Sequence, residues 1–152
     1  MEIREVTQQN TLMVRLITSL SRISEVMKEV YTEIGTFMQH RGIEYTGAPY
    51  AMYYNMDMEA LDLEIGFPVT APVETEGRIS NGTIPGGKIA TTVHKGPYDT
   101  LEKTYMELLA FVRDKGVEVE EQWMYEYYLN DPAEVKPEEL LTQICYIVKK
   151  ES

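Results

Sequence analysis

Apolar residues recur along this chain with two periods, and the switches between them mark the elements. Residues 12–18 (LMVRLIT) read as a short strand. From residue 21 the period lengthens: Ile23, Val26, Met27, Val30, Ile34, Phe37 and Met38 lie on one face of a helix. Ser21 is placed to cap its start and Gly42 to stop it. Residues 49–55 (PYAMYYN) read as a strand. So does 61–69 (LDLEIGFPV), where Leu61, Leu63, Ile65, Phe67 and Val69 alternate with the rest. The stretch 70–87 holds Pro72, Asn81-Gly82 and Pro85-Gly86-Gly87, and reads as a turn-rich connector. A strand at 88–94 follows. Then Tyr98, Leu101, Tyr105, Leu108 and Val112 form a second helical stripe, with Asp99 and Glu102 spaced as a capping box and Gly116 at its close. Strands at 122–129 and 140–148 complete the chain.

The order strand, helix, strand, strand is thus written twice. The predicted class is α+β, a single domain over 1–152 built from half-repeats of about 1–69 and 88–152. Each half has one helix and too little sheet to bury both faces alone. The halves are expected to share one antiparallel sheet, with both helices on one face and a ligand cleft on the other.

Strand alternation then sorts the side chains. In 140–148, Ile144, Tyr146 and Val148 fall on one face, with Gln143, Cys145 and Ile147 on the other. In 61–69 the face opposite the core holds Glu64, Gly66 and Pro68. In 123–129 the bulkier set, Trp123, Tyr125, Tyr127 and Leu129, is expected under the helix. That puts Glu126 in the cleft with Met124 and Tyr128, opposite a wall of Gln143 and Cys145. Glutamate is a poor strand former, so a carboxylate amid QWMYEYYL asks for a chemical reason. On an aromatic surface it loses hydration, and an arriving cation restores the lost interaction.

Composition narrows the partners. The 152 residues carry a formal net charge of −11. Nucleic acid and anionic membrane both require a basic footprint, so neither is expected as a partner. Eleven Tyr and nine Met against three Phe suit an adaptable amphipathic surface, or simply an aromatic core. One cysteine permits no internal disulfide, which fits a reducing cytoplasm. The polar, acidic N-terminus is no secretory signal, and no apolar run has the length of a membrane span. His40 and His94 lack ligand-spaced partners, so no metal or cofactor is expected. His94 fits a structural role in the turn formed by Gly96 and Pro97. Tyr98 stands close enough to a cleft mouth to touch a ligand.

The segments GGKIATTVHKGPYDTLEKTYMEL, EYYLNDP and ELLTQICYIV resemble the effector-binding domain of the gyrase-inhibitor-like proteins. That domain also occurs at the C-termini of AraC-type and MerR-type multidrug-responsive activators. The resemblance runs over essentially the whole chain, through His-x-Gly-Pro-Tyr, Glu-x-Tyr and the closing strand. It implies two helix-plus-strands repeats and a sheet face that binds small, often cationic, aromatic molecules, with Glu126 as the buried anion under the ligand. Gln143 stands where the family usually has Glu, and Ile147 where it has Pro. A second cleft acid is therefore missing, and Glu64 is a partial substitute.

Three function classes follow from residues and resemblance together. The first is a small-molecule binding protein for aromatic cations, linked to transcription regulation or drug sequestration. Its ligand-binding residues are Glu126, Tyr128, Met124, Tyr53, Gln143, Cys145, Glu64 and Tyr98. The second is an interaction protein acting on a DNA enzyme or regulator. The third is a hydrolase in which Glu126 and a tyrosine activate water, although no further acid–base partner is evident and no catalytic residue is assigned.

Overall fold

The computed structural model describes residues 1–150, which form eight strands and two long helices, and every assigned strand pairing is antiparallel. The α+β class is as expected. The chain divides into two units, Thr7–Gly86 and a second made of Met1–Val6 with the residues from Gly87 on.

The first unit contains β2 (Gln9–Thr18), α1 (Ile23–Arg41), β3 (Tyr50–Tyr53), β4 (Leu61–Val69) and β5 (Ser80–Ile84). Its strands pair in the order β3–β4–β2–β5. Leu12, Val14, Leu63, Ile65 and Phe67 meet Val30, Ile34, Phe37 and Met38 of α1 in a single core. The 3.6-residue and two-residue apolar periods interlock here, each supplying the face that the other buries. Gly42 ends α1 in the left-handed region at φ 66°, its N–H turned back to Met38 and Gln39 carbonyls.

The second unit contains β1 (Glu2–Val6), β6 (Gly87–Lys95), α2 (Leu101–Asp114), β7 (Val119–Tyr128) and β8 (Leu141–Val148). Its strands pair in the order β1–β6–β8–β7. Gly116, at φ 70°, follows the C-cap of α2.

Three local expectations need correction. The connector 70–87 contains β5, which pairs with β2. Residues 2–6 form a strand, β1, which pairs with β6. The helix starts differ too. A 3-10 turn (Leu20–Arg22) leads into α1 and another (Tyr98–Thr100) into α2. Neither helix carries a side-chain cap, so Ser21 is not the N-cap of α1 and Asp99–Glu102 is not a capping box. The 3-10 turns use part of the backbone hydrogen-bonding capacity that a cap would otherwise satisfy.

Candidate ligand site

The register of the second unit decides which side chains share a face, because directly paired residues project to the same side. Glu126 pairs with Ile144, and Ile144 with Thr92. Tyr128 pairs with Thr142, and Thr142 with His94; Met124 pairs with Tyr146, and Tyr146 with Ala90. That face is the one α2 covers. The ring of Tyr105 on α2 meets Tyr146 edge-on at 6.4 Å, and Thr104 of α2 bonds His94 Nδ1 at 2.6 Å. Glu126, Met124 and Tyr128 therefore lie on the α2 side.

The opposite face carries Tyr125, Tyr127, Gln143, Cys145 and Thr91. Gln143 and Cys145 are thus not a wall across from Glu126, and Tyr125 and Tyr127 are not under the helix. Side-chain size misleads here because both faces of β7 are buried: Met124, Tyr125 and Glu126 are each at most 2 % exposed.

Glu126 is 1 % exposed. Tyr128 Oη donates to its Oε1 at 2.9 Å. Tyr98, in the turn before α2, packs its ring edge-on against Tyr128 at 6.0 Å and is itself 37 % exposed. Burial, and next the charge of Glu126, push up the Tyr98 phenol and push that of Tyr146 to about 12. The carboxylate therefore sits at the base of an aromatic cluster whose outer member reaches solvent.

The turn that carries Tyr98 is tied to β6 through His94. Thr100 donates to the carbonyl of Pro97 at 2.7 Å, so its oxygen accepts from His94 Nε2–H at 2.9 Å. Thr104 closes the other ring nitrogen. This is the structural role expected for His94. Beside it, between β6 and α2, runs a groove of about 810 Å³ lined by His94, Thr100, Thr104, Val93 and Met106 among others; Glu126 is not in its lining.

On the far face, Cys145 is fully buried, with Thr91 Oγ1 at 3.5 Å. Burial pushes its thiol up to about 11. Gln143 Nε2 donates to Thr91 Oγ1 at 3.1 Å, and the Thr91 hydroxyl donates to the Ile144 carbonyl.

The first unit has its own buried acid. Glu64 is 4 % exposed and accepts from Tyr50 Oη at 2.5 Å and Tyr54 Oη at 2.7 Å. Arg15, paired with Glu64 across β2 and β4, stacks over the Tyr54 ring at 3.6 Å and forks onto Asp62 at 2.6 and 2.9 Å. Glu64 lies on the face turned away from α1, whereas Tyr53 packs against the core on the α1 side. Relative to its own helix, Glu64 is thus on the opposite face from that of Glu126. Tyr54, which the sequence does not single out, bonds the acid. With its one proton on Glu64, the Tyr50 oxygen accepts from the Thr11 hydroxyl, at 3.0 Å.

Among the described residues no cluster of three or more His, Cys, Asp or Glu is placed to hold a metal, and no helix is long and apolar enough to cross a membrane.

A family model described as the GyrI-like small molecule binding domain matches residues 1–149. Among solved structures, the EcmrR C-terminal domain matches at 23 % identity and a TM-score of 0.84, over 99 % of this chain and 97 % of that one. EcmrR in its DNA complex matches at 23 % identity and a TM-score of 0.83, over 99 % of this chain, which spans only 57 % of that longer chain. SAV2435 bound to tetraphenylphosphonium matches at 11 % identity and a TM-score of 0.67, over 97 % of this chain and 93 % of that one. Among curated proteins none matches.

Proposed function

Since this chain belongs to the GyrI-like small molecule binding domain family, we propose that the small molecule it binds is an aromatic cation seated against Glu126. The observation that carries this is a carboxylate 1 % exposed on the face that α2 covers, under a tyrosine cluster. Tyr128 orients the acid, Met124 supplies an adaptable apolar wall, and Tyr98 forms the solvent-facing lip. Tyr146 closes the buried side.

The magnitudes favour a cation. An ion pair about 4 Å apart at an effective dielectric near 20 gains roughly 4 kcal/mol before desolvation. Each tyrosine face over the charge adds about 0.5–2 kcal/mol. Neither term demands a specific ring shape, so breadth toward aromatic cations follows. SAV2435, whose structure holds a lipophilic phosphonium ion, lends this ligand class support through the shared fold. Glu64 is the weaker candidate, because the guanidinium of Arg15 already serves its tyrosine cluster. Gln143 and Cys145 act in this reading as supports of the far face.

The test is titration of the protein with an aromatic cation and with its uncharged counterpart of the same shape, read by tyrosine and Trp123 fluorescence. Saturable binding of the cation, at least tenfold tighter than that of the neutral compound (about 1.4 kcal/mol), is expected. Equal affinities would defeat the proposal.

A further inference from the structure

We propose that Thr142 is the second polar contact of this site, and that it selects cations retaining N–H bonds, protonated primary and secondary amines, over fully substituted ammonium or phosphonium ions. The inference rests on the Glu126 reading above and adds the ligand's hydrogen-bonding character to it.

Thr142 is fully buried, and its hydroxyl has no hydrogen-bond partner among the described residues. Buried hydroxyls are bonded as a rule, so an orphan one calls for an explanation. The two residues directly paired with it have their polar groups engaged elsewhere: Tyr128 Oη bonds Glu126, and the His94 ring nitrogens bond Thr100 and Thr104. Other buried threonines are satisfied within the fold, Thr91 by the Ile144 carbonyl and Thr11 by Tyr50. Thr142 is the exception, and its register places it beside the acid. It pairs with Tyr128 while Glu126 pairs with Ile144. Glu126 and Thr142 are therefore diagonal neighbours on one face, roughly 7–8 Å apart in such a ladder.

A long acid and a short hydroxyl at that separation frame one ammonium group. One N–H donates to the Glu126 carboxylate and a second to Thr142 Oγ1. A quaternary centre offers no N–H, so it leaves the hydroxyl orphaned, and its substituents hold the charge away from the carboxylate.

The decisive comparison uses naphthylmethylammonium and its N,N,N-trimethyl counterpart, which share ring and charge. Affinities are measured by calorimetry on the wild-type protein, Thr142→Val, Thr142→Ser and Glu126→Gln. The wild type is expected to prefer the primary amine by about tenfold, the scale of a charge-assisted hydrogen bond. Thr142→Ser keeps the preference. Thr142→Val, equal in size, abolishes it by weakening the amine alone. Glu126→Gln weakens both ligands. If Glu126→Gln weakens both but the wild type shows no preference, or Thr142→Val retains one, the role of Thr142 is overturned while the Glu126 reading stands. If Glu126→Gln leaves both affinities unchanged, both proposals fall.

Discussion

Arg15 separates the two buried glutamates of the described chain. At Glu64 the chain supplies its own cation, stacked on Tyr54 and held by Asp62. At Glu126, Tyr128 donates a phenol hydrogen bond, and the carboxylate's charge adds to burial in raising the Tyr98 and Tyr146 phenols. A neutral phenol donates to a carboxylate without cancelling its charge, which supports the proposed role of Glu126 as a receptor. Cys145 shows the same logic with the opposite outcome. Its thiol is fully buried and pushed up to about 11, first by burial, so the nucleophilic thiolate is scarce at neutral pH. Ellman's reagent at pH 8 should react with the folded protein far more slowly than with the protein in urea. Fast labelling of the folded state would mean that the far face of the second unit is open. The sequence alone makes Glu126 conspicuous, but it does not tell which face the residue occupies. Alternation gives two sets, and the choice between them rests on bulk. In β7 both sets are buried, so bulk carries no information. Only the register against β8 decides, and register is set by distant residues.

Among the elements, those with a thick apolar stripe were legible. The helices and the strands β2, β4, β6, β7 and β8 each bury enough side chains to stamp a period on the sequence. β1 and β5 do not. Each pairs along one edge only, β1 with β6 and β5 with β2, and their sequences EIREV and SNGTI are mostly exposed. An edge strand needs few apolar residues, and Asn81-Gly82 imitates a turn. The start of each helix is illegible for a related reason: a 3-10 turn leaves no capping signature. Gly66 in β4 shows a constraint that alternation did not expose. A methyl group there would stand 2.1 Å from the Leu12 carbonyl oxygen and 2.9 Å from Met13 Cα, both backbone atoms of β2. Relief requires prising β2 from β4, the pair that carries the α1 core. Gly66→Ala should therefore cost roughly 4 kcal/mol or more in urea unfolding, in the exceptional tail for single substitutions. A loss within about 1 kcal/mol, the ordinary range, would show that β2 and β4 separate more easily than their close approach implies.

For the molecule as a whole, the tyrosines set the alkaline limit. Burial and then the charge of Glu64 raise the Tyr50 phenol; burial and then the hydrogen bond to Glu64 raise Tyr54; burial above all raises Tyr125 and Tyr146, the last to about 12. Each native value stands above the ordinary tyrosine value of about 10. Above pH 10 the unfolded chain releases these protons and the native chain keeps them, so stability falls as pH rises. Below that range these groups contribute no slope. The urea midpoint should hold steady from this source up to about pH 10 and then drop, with tyrosinate absorbance from these residues appearing as the protein unfolds. Their titration in the folded state near pH 10 would contradict the burial described here. The central claim, a cation held by the charge of Glu126, has its most direct test in Glu126→Gln, which preserves shape and removes charge. Calorimetry with one aromatic cation and its uncharged isostere on both proteins isolates that charge. The cation should weaken by about 1–3 kcal/mol, the neutral compound should change little, and the mutant should remain folded. Equal losses for the two ligands would contradict the account, leaving Glu126 as a shaper of the site and not its anion.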